Sequence, residues 1–202
     1  MIVMNTSDRL STPSLILASA SPRRKELLEK AGLKFKVVIP SVDESAFSTD
    51  NISACEYAEK LALAKATSVA KKFKNSLVLG ADTVVDFNGC IIGKPIDNTD
   101  AKQIIRKLFS RPHKVITGIA ILRLSDKTKI VTNGVTTVYP KKMTAEQIAE
   151  YIKGGLWKEK AGAYGIQETG DKFIEKIDGS LTNVMGLPME LLEQMLKKVN
   201  LC

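Results

Sequence analysis

With 202 residues, 44% of them hydrophobic, the chain has the material for one domain with a buried core, and its net charge of +8 favours anionic partners. A lone histidine, His113, all but excludes a Ser-His-Asp triad or a multi-histidine metal site. Three scattered cysteines (Cys55, Cys90, Cys202) lack metal-ligand spacing and argue against a disulfide framework, and no apolar run is long enough to span a bilayer.

Residues 1–13 are polar and mixed, without the basic start and apolar middle of a signal peptide. They read as a flexible leader, and cysteine usage suggests the cytoplasm. Residues 14–202 are expected to form one α/β domain with two lobes. Leu15 to Ala18 is a short apolar run, the pattern of a buried strand. Ser19, Ala20 and Ser21 are small, Ser21 suits a helix N-cap, and Pro22 suits the first helical position. Leu27, Leu28 and Ala31 give the helix one apolar face, and Gly32 is a natural stop. Arg23 and Arg24 therefore fall in the first turn, where the helix dipole disfavours cations. Either an anion such as a phosphate binds there, or this is an ordinary strand–helix junction with solvated arginines.

A second strand is predicted over Phe35 to Ile39, then a loop with the adjacent carboxylates Asp43 and Glu44. That pair could hold a metal or simply face solvent. Ser53 to Glu56 is a capping box opening a long helix, with Tyr57, Leu61, Ala64, Val69 and Phe73 at helical spacing. Lys65 sits in its alanine-rich middle, where it could approach a packed surface or point to water.

Leu77 to Val85 is apolar on both faces, as in a central strand, and Asp82 interrupts it. A buried carboxylate needs partners. Ligands gather at strand carboxyl ends in open α/β sheets, so Asp82, expected at such an end, is the leading candidate for chemistry. Asn88-Gly89 signals a two-residue hairpin that carries Lys94 back toward Asp82. Asn98 or Thr99 is expected to cap the next helix, running to about Phe109.

His113 to Leu124 and Lys129 to Tyr139 read as paired strands, with a break or bulge at Thr117-Gly118. Thr144 to Gln147 is a second capping box, and its helix should end at Gly154-Gly155. Trp157 to Gln167 reads as an irregular segment, with small residues around Tyr164, either shaped for close approach to a ligand or a plain glycine-rich loop. Phe173 to Ile177 is predicted as a strand and Asn183 to Met185 as a last short one. A C-terminal helix follows, with Leu191, Leu192, Met195 and Leu196 inward.

These pieces resemble the Maf family of nucleoside triphosphate pyrophosphatases over nearly all of the chain. The motifs are SASPRR at Ser19 to Arg24, DE at Asp43-Glu44, Lys65 within LALAKA, GADT at Gly80 to Thr83, IGKP at Ile92 to Pro95, TG at Thr117-Gly118, and KAGAYGIQ at Lys160 to Gln167. The resemblance implies an elongated α/β fold shared with the inosine triphosphatase-like enzymes, a mixed sheet flanked by helices, and an active-site cleft between two lobes. It implies hydrolysis of a nucleoside triphosphate to the monophosphate and pyrophosphate, with Mg2+ or Mn2+ as the helping metal and Asp82 as the catalytic aspartate. The family's other positions fall on Arg23, Arg24, Glu44, Lys65 and Lys94, with Ser21 beside them in the substrate-binding stretch.

The KAGAYGIQ form is similar to the subfamily acting on dTTP and UTP, in which Arg23, Thr83 and Gln167 would go with base specificity. Glu168 departs from it, since a glycine is usual after the glutamine. The residues suit this chemistry. Arg23, Arg24, Lys65 and Lys94 can neutralise a polyanion, Glu44 and Asp82 can hold a metal, and Asp82 can deprotonate water. The Gln167 amide can both donate and accept toward a base. Alternatives are an enzyme of the 7-methyl-GTP branch and a non-catalytic nucleotide- or nucleic-acid-binding regulator of septum formation. A buried Asp82 argues against the latter, so no stable nucleic-acid complex is expected; without an apolar run long enough to span a bilayer no membrane partner is expected either, and a homodimer is compatible with the sequence.

Overall fold

The computed structural model describes residues 15–201, with side chains except those of residues 168–171, so the leader expected over residues 1–13 lies outside the described residues. One seven-stranded mixed sheet carries the fold. Its strands are β1 (Leu15–Ala18), β2 (Phe35–Val38), β3 (Leu77–Phe87), β4 (Cys90–Ile92), β5 (His113–Arg123), β6 (Thr128–Pro140) and β7 (Ile174–Asp178). The order is β2-β1-β3-β5-β6-β7, with β4 paired to β3 beside β1. β1 runs parallel to both β2 and β3; the other pairings are antiparallel.

Alternation along β1 and β3 assigns the two faces. Leu15, Leu17, Leu77 and Leu79 meet α1 (Pro22–Lys30) through Leu27 and Leu28, and α7 (Met189–Lys198) through Leu192, Met195 and Leu196. Leu191 is only half-buried. Further along, Val85, Phe87 and Val115 pack with α3 (Asn98–Leu108) and α4 (Ala145–Lys153). The opposite face takes α2 (Ala54–Ala70), whose buried stripe is Ala58, Leu61, Ala62, Lys65, Ala66 and Val69. That stripe is rotated from the expected one, so Tyr57 and Ala64 are only half-buried.

The rotation has a steric cause. Gly80 of β3 and Gly118 of β5 lie directly under the alanines of α2. A Cβ on Gly80 would come 2.3 Å from the Ala62 carbonyl oxygen, and one on Gly118 would come 2.3 Å from the Ala58 carbonyl carbon. Helix and sheet touch backbone to backbone, and only alanine and glycine allow that. Gly118 is therefore no bulge: β5 runs unbroken and pairs Gly118 with Asp82 in register.

Three further expectations are corrected. Asp97, not Asn98 or Thr99, caps α3, accepting the Asp100 amide at 2.8 Å. Residues 183–185 belong to a short helix, α6 (Leu181–Met185), because Ser180 caps it and Asn183 is wholly buried beneath it. Ile166–Phe173 forms a helix, α5, between the irregular segment and β7. The capping boxes at Ser53/Glu56 and Thr144/Gln147 are both complete.

Candidate active site

Asp82 lies in the middle of β3, not at its end. It does lie just past the end of β1, whose last residue Ala18 pairs with Gly80. β4 pairs with β3 only over residues 85–87. Residues 81–84 of β3 thus have no described strand along that edge, and a cleft of about 280 Å³ opens there. Ser19 to Arg24, Ile39, Pro40 and Glu44 line one side; Lys94 and residues 159–161 and 164–167 line another. Asp82, Lys65 and Thr83 form its floor. The geometry extends the carboxyl-end rule: the binding crevice sits outside the shorter parallel strand, and the longer neighbour supplies the carboxylate.

The close seat of α2 delivers Lys65 to this floor. Its ammonium donates to Asp82 Oδ1 at 2.6 Å and lies 2.7 Å from Glu44 Oε1. Lys65 and Asp82 are both buried, while the Glu44 side chain is half exposed. Burial pushes the Asp82 carboxyl above its ordinary range, against the pull first of Lys65 and then of Arg24. A carboxylate raised in this way is a stronger base once ionised. Asp43 does not share this role, because it caps a 3-10 turn over Glu44–Ala46 through the Ser45 amide and hydroxyl.

Ser21 caps α1 as expected, accepting the Arg24 amide. The two arginines of that turn go different ways. Arg24 is buried, and its guanidinium donates to the Gly186 carbonyl at 2.7 Å, to Ser19 Oγ at 3.2 Å and to Thr83 Oγ1 at 3.0 Å. Thr83 Oγ1 also lies 2.9 Å from Thr117 Oγ1, which donates to the Asn183 carbonyl. With both ends fixed, the Thr83 hydroxyl must give its proton to Thr117. Arg24 thus ties α1, β3, β5 and α6 together within the cleft wall. Arg23 is half-buried at the cleft, reaching the Glu159 carbonyl at 3.5 Å.

Lys94 also faces the cleft, ion-paired to Glu159 at 2.8 Å. That contact holds the Glu159 carboxyl below its ordinary range. Sequence reasoning missed Glu159, which sits between two lysines with nothing to distinguish it. It also missed the Gly186 carbonyl, although Gly186 has φ 112°, a conformation that glycine readily adopts at a helix end. The segment bearing Glu159 and Gln167 is anchored from below. Tyr164 is buried, with its hydroxyl 2.7 Å from His113 Nε2. Burial lowers the His113 pKa to about 4 and raises that of Tyr164, so both are neutral at pH 7. Gly162, with φ 70°, lies against Val85 and Leu108, and its amide donates to the Gly93 carbonyl at 2.9 Å. The buried Lys160 donates to the Leu156 carbonyl. Gln167 lines the cleft with its side chain exposed.

A mixed sheet with helices on both faces and a cleft at the parallel edge places the chain in a known fold: the Staphylococcus aureus Ham1 protein superposes over 92% of this chain and 98% of its own, with a TM-score of 0.53 at 14% identity. Residues 14–199 match the Maf-like protein family, and the chain belongs to it. Among curated relatives, the dTTP/UTP pyrophosphatase of Alkaliphilus metalliredigens is 45% identical, with 91% of this chain and 95% of the relative aligned. That of Symbiobacterium thermophilum is 43% identical, covering 90% and 92%. That of Bdellovibrio bacteriovorus is 41% identical, covering 92% and 98%.

Proposed function

We infer that this protein is a nucleoside triphosphate pyrophosphatase that hydrolyses dTTP and UTP to the monophosphate and pyrophosphate. The observation that carries the reading is a buried carboxylate, Asp82, held by Lys65 on the floor of a cleft whose walls present Arg23 and Lys94. A passive polyanion binder gains nothing from burying a carboxylate among its cations. Similarity to relatives named dTTP/UTP pyrophosphatase supports the substrate class.

In this mechanism Asp82 takes a proton from water as its oxygen bonds to the α-phosphorus. The bond from that phosphorus to the α,β-bridging oxygen breaks, and pyrophosphate leaves with the electron pair. Arg23 and Lys94 hold the phosphates, and Lys65 holds Asp82 in place before the substrate enters. Lys94 must exchange Glu159 for phosphate, a small loss for an exposed pair. The donor set suits a hard divalent cation: two carboxylate oxygens meet at one point, and among described residues no third Asp, Glu, His or Cys joins them. Glu44 and Asp82 would hold Mg2+ or Mn2+ together with phosphate oxygens and water. When bound, the metal would neutralise charge building on the phosphates.

Gln167 is assigned to reading the base, because its amide can match the N3 donor and flanking carbonyls of uracil and thymine, a pattern that cytosine inverts. The anchored segment would hold that amide in register. Thr83 shapes the floor, its proton being committed to Thr117. No described helix is long and apolar enough to cross a membrane, and the free thiols of Cys55 and Cys90 suit a reducing cytoplasm.

The test is pyrophosphate release from a panel of nucleoside triphosphates, with and without a chelator, using the wild type, Asp82→Asn and Gln167→Ala. Expected are dTTP and UTP as best substrates, loss of activity in chelator, and a roughly 10²–10⁴-fold fall in Asp82→Asn. Gln167→Ala should flatten the preference. CTP or 7-methyl-GTP as best substrate would refute the base assignment, and near-normal turnover in Asp82→Asn would refute the site.

A further inference from the structure

We propose that Lys65 is the resident counter-cation of the Glu44–Asp82 pair and keeps a divalent metal out of it until a triphosphate arrives. The inference rests on the function given above and concerns the order in which that site is filled. The two carboxylates converge on one point, and the Lys65 ammonium occupies it, 2.7 Å from one and 2.6 Å from the other. The three charges sum to a single negative one. The Arg24 guanidinium acts electrostatically on Asp82 and offsets part of that.

A divalent cation approaching the pair without a nucleotide therefore meets two carboxylates whose charge is already half offset and an ammonium standing in its place. No third carboxylate among the described residues compensates. Nor can the helix draw the lysine back or lift away easily. The backbone of α2 rests on Gly80 and Gly118 without room for a single added carbon, so only the side chain can swing. A triphosphate changes both conditions. It gives the ammonium another oxyanion to turn to, and it brings phosphate oxygens and negative charge to complete a shell around the metal. Lys65 thereby makes metal uptake conditional on substrate.

The experiment measures Mn2+ binding by electron paramagnetic resonance without nucleotide, so it does not depend on turnover. Wild-type protein should bind Mn2+ weakly. Lys65→Met should bind it roughly tenfold or more tighter, because one positive charge has left the pair. Lys65→Arg should stay weak, and adding Asp82→Asn to Lys65→Met should restore weakness. Thermal melts establish that each variant is folded; Lys65→Ala replaces Lys65→Met should the latter not fold. Equal Mn2+ affinity in wild type and the neutral variant overturns the proposal, as does tight uptake by the unmutated protein. Failure of the functional reading shows up separately, as absent pyrophosphate release in the substrate panel.

Discussion

Lowering the pH from 7 to 5 should cost this protein about 2 kcal/mol of folding stability through His113 alone. The imidazole is buried, and burial holds its pKa at about 4, well below the ordinary histidine value of 6.5. The sign follows from proton uptake. Between those values the unfolded chain binds a proton that the folded chain refuses, so the contribution is complete above pH 6.5 and is lost as pH falls toward 4. The whole shift corresponds to about 3 kcal/mol at 1.36 kcal/mol per pH unit, most of it spent by pH 5. At 3% exposure, solvent screening takes little from that figure. The assay is urea unfolding at pH 7 and pH 5 for wild type and His113→Gln. Carboxylates titrate in both proteins and cancel in the comparison, so the wild-type loss should exceed the variant's by about 2 kcal/mol. The same loss in both proteins would refute the assignment of a buried neutral imidazole.

Three other variants have expected outcomes. Gly118→Ala should lower stability by about 1–3 kcal/mol, because the new methyl meets the Ala58 backbone. It should also reduce turnover by shifting Lys65 against Asp82, and denaturant midpoints with kcat test both effects; an unchanged midpoint would mean that helix and sheet are not in backbone contact. Arg24→Ala should destabilise by about 1–3 kcal/mol, since it leaves the buried Gly186 carbonyl without its donor. Arg23→Ala should leave stability within about 0.5 kcal/mol while raising KM for the nucleotide; melts and steady-state kinetics on both variants would expose a reversal of these roles.

Local chemistry was legible in the sequence. The capping boxes at Ser53 and Thr144, the Ser21 cap with Pro22, and the Asn88-Gly89 hairpin each join residues within three positions, so their geometry follows from neighbours alone. The four-residue β1 and the long β3 also stand out as apolar runs bounded by small residues. The five-residue α6 did not, because a helix that short has no periodicity, and its stability comes from the Ser180 cap and from Asn183 bonding to β5 and β6.

Sequence alone also named the chemically able side chains, since residue type determines which can carry charge or move a proton. Which of them meet was decided by packing. Lys65 reaches Asp82 across 17 positions, because alanines on one helix and glycines on two strands let backbones touch. Arg24 and Arg23 are adjacent and chemically identical, yet one turns into the protein across 162 positions to Gly186 and the other toward the cleft. A helix turns about 100° per residue, so neighbours in the chain face different surroundings, and only the tertiary fold decides what those surroundings are.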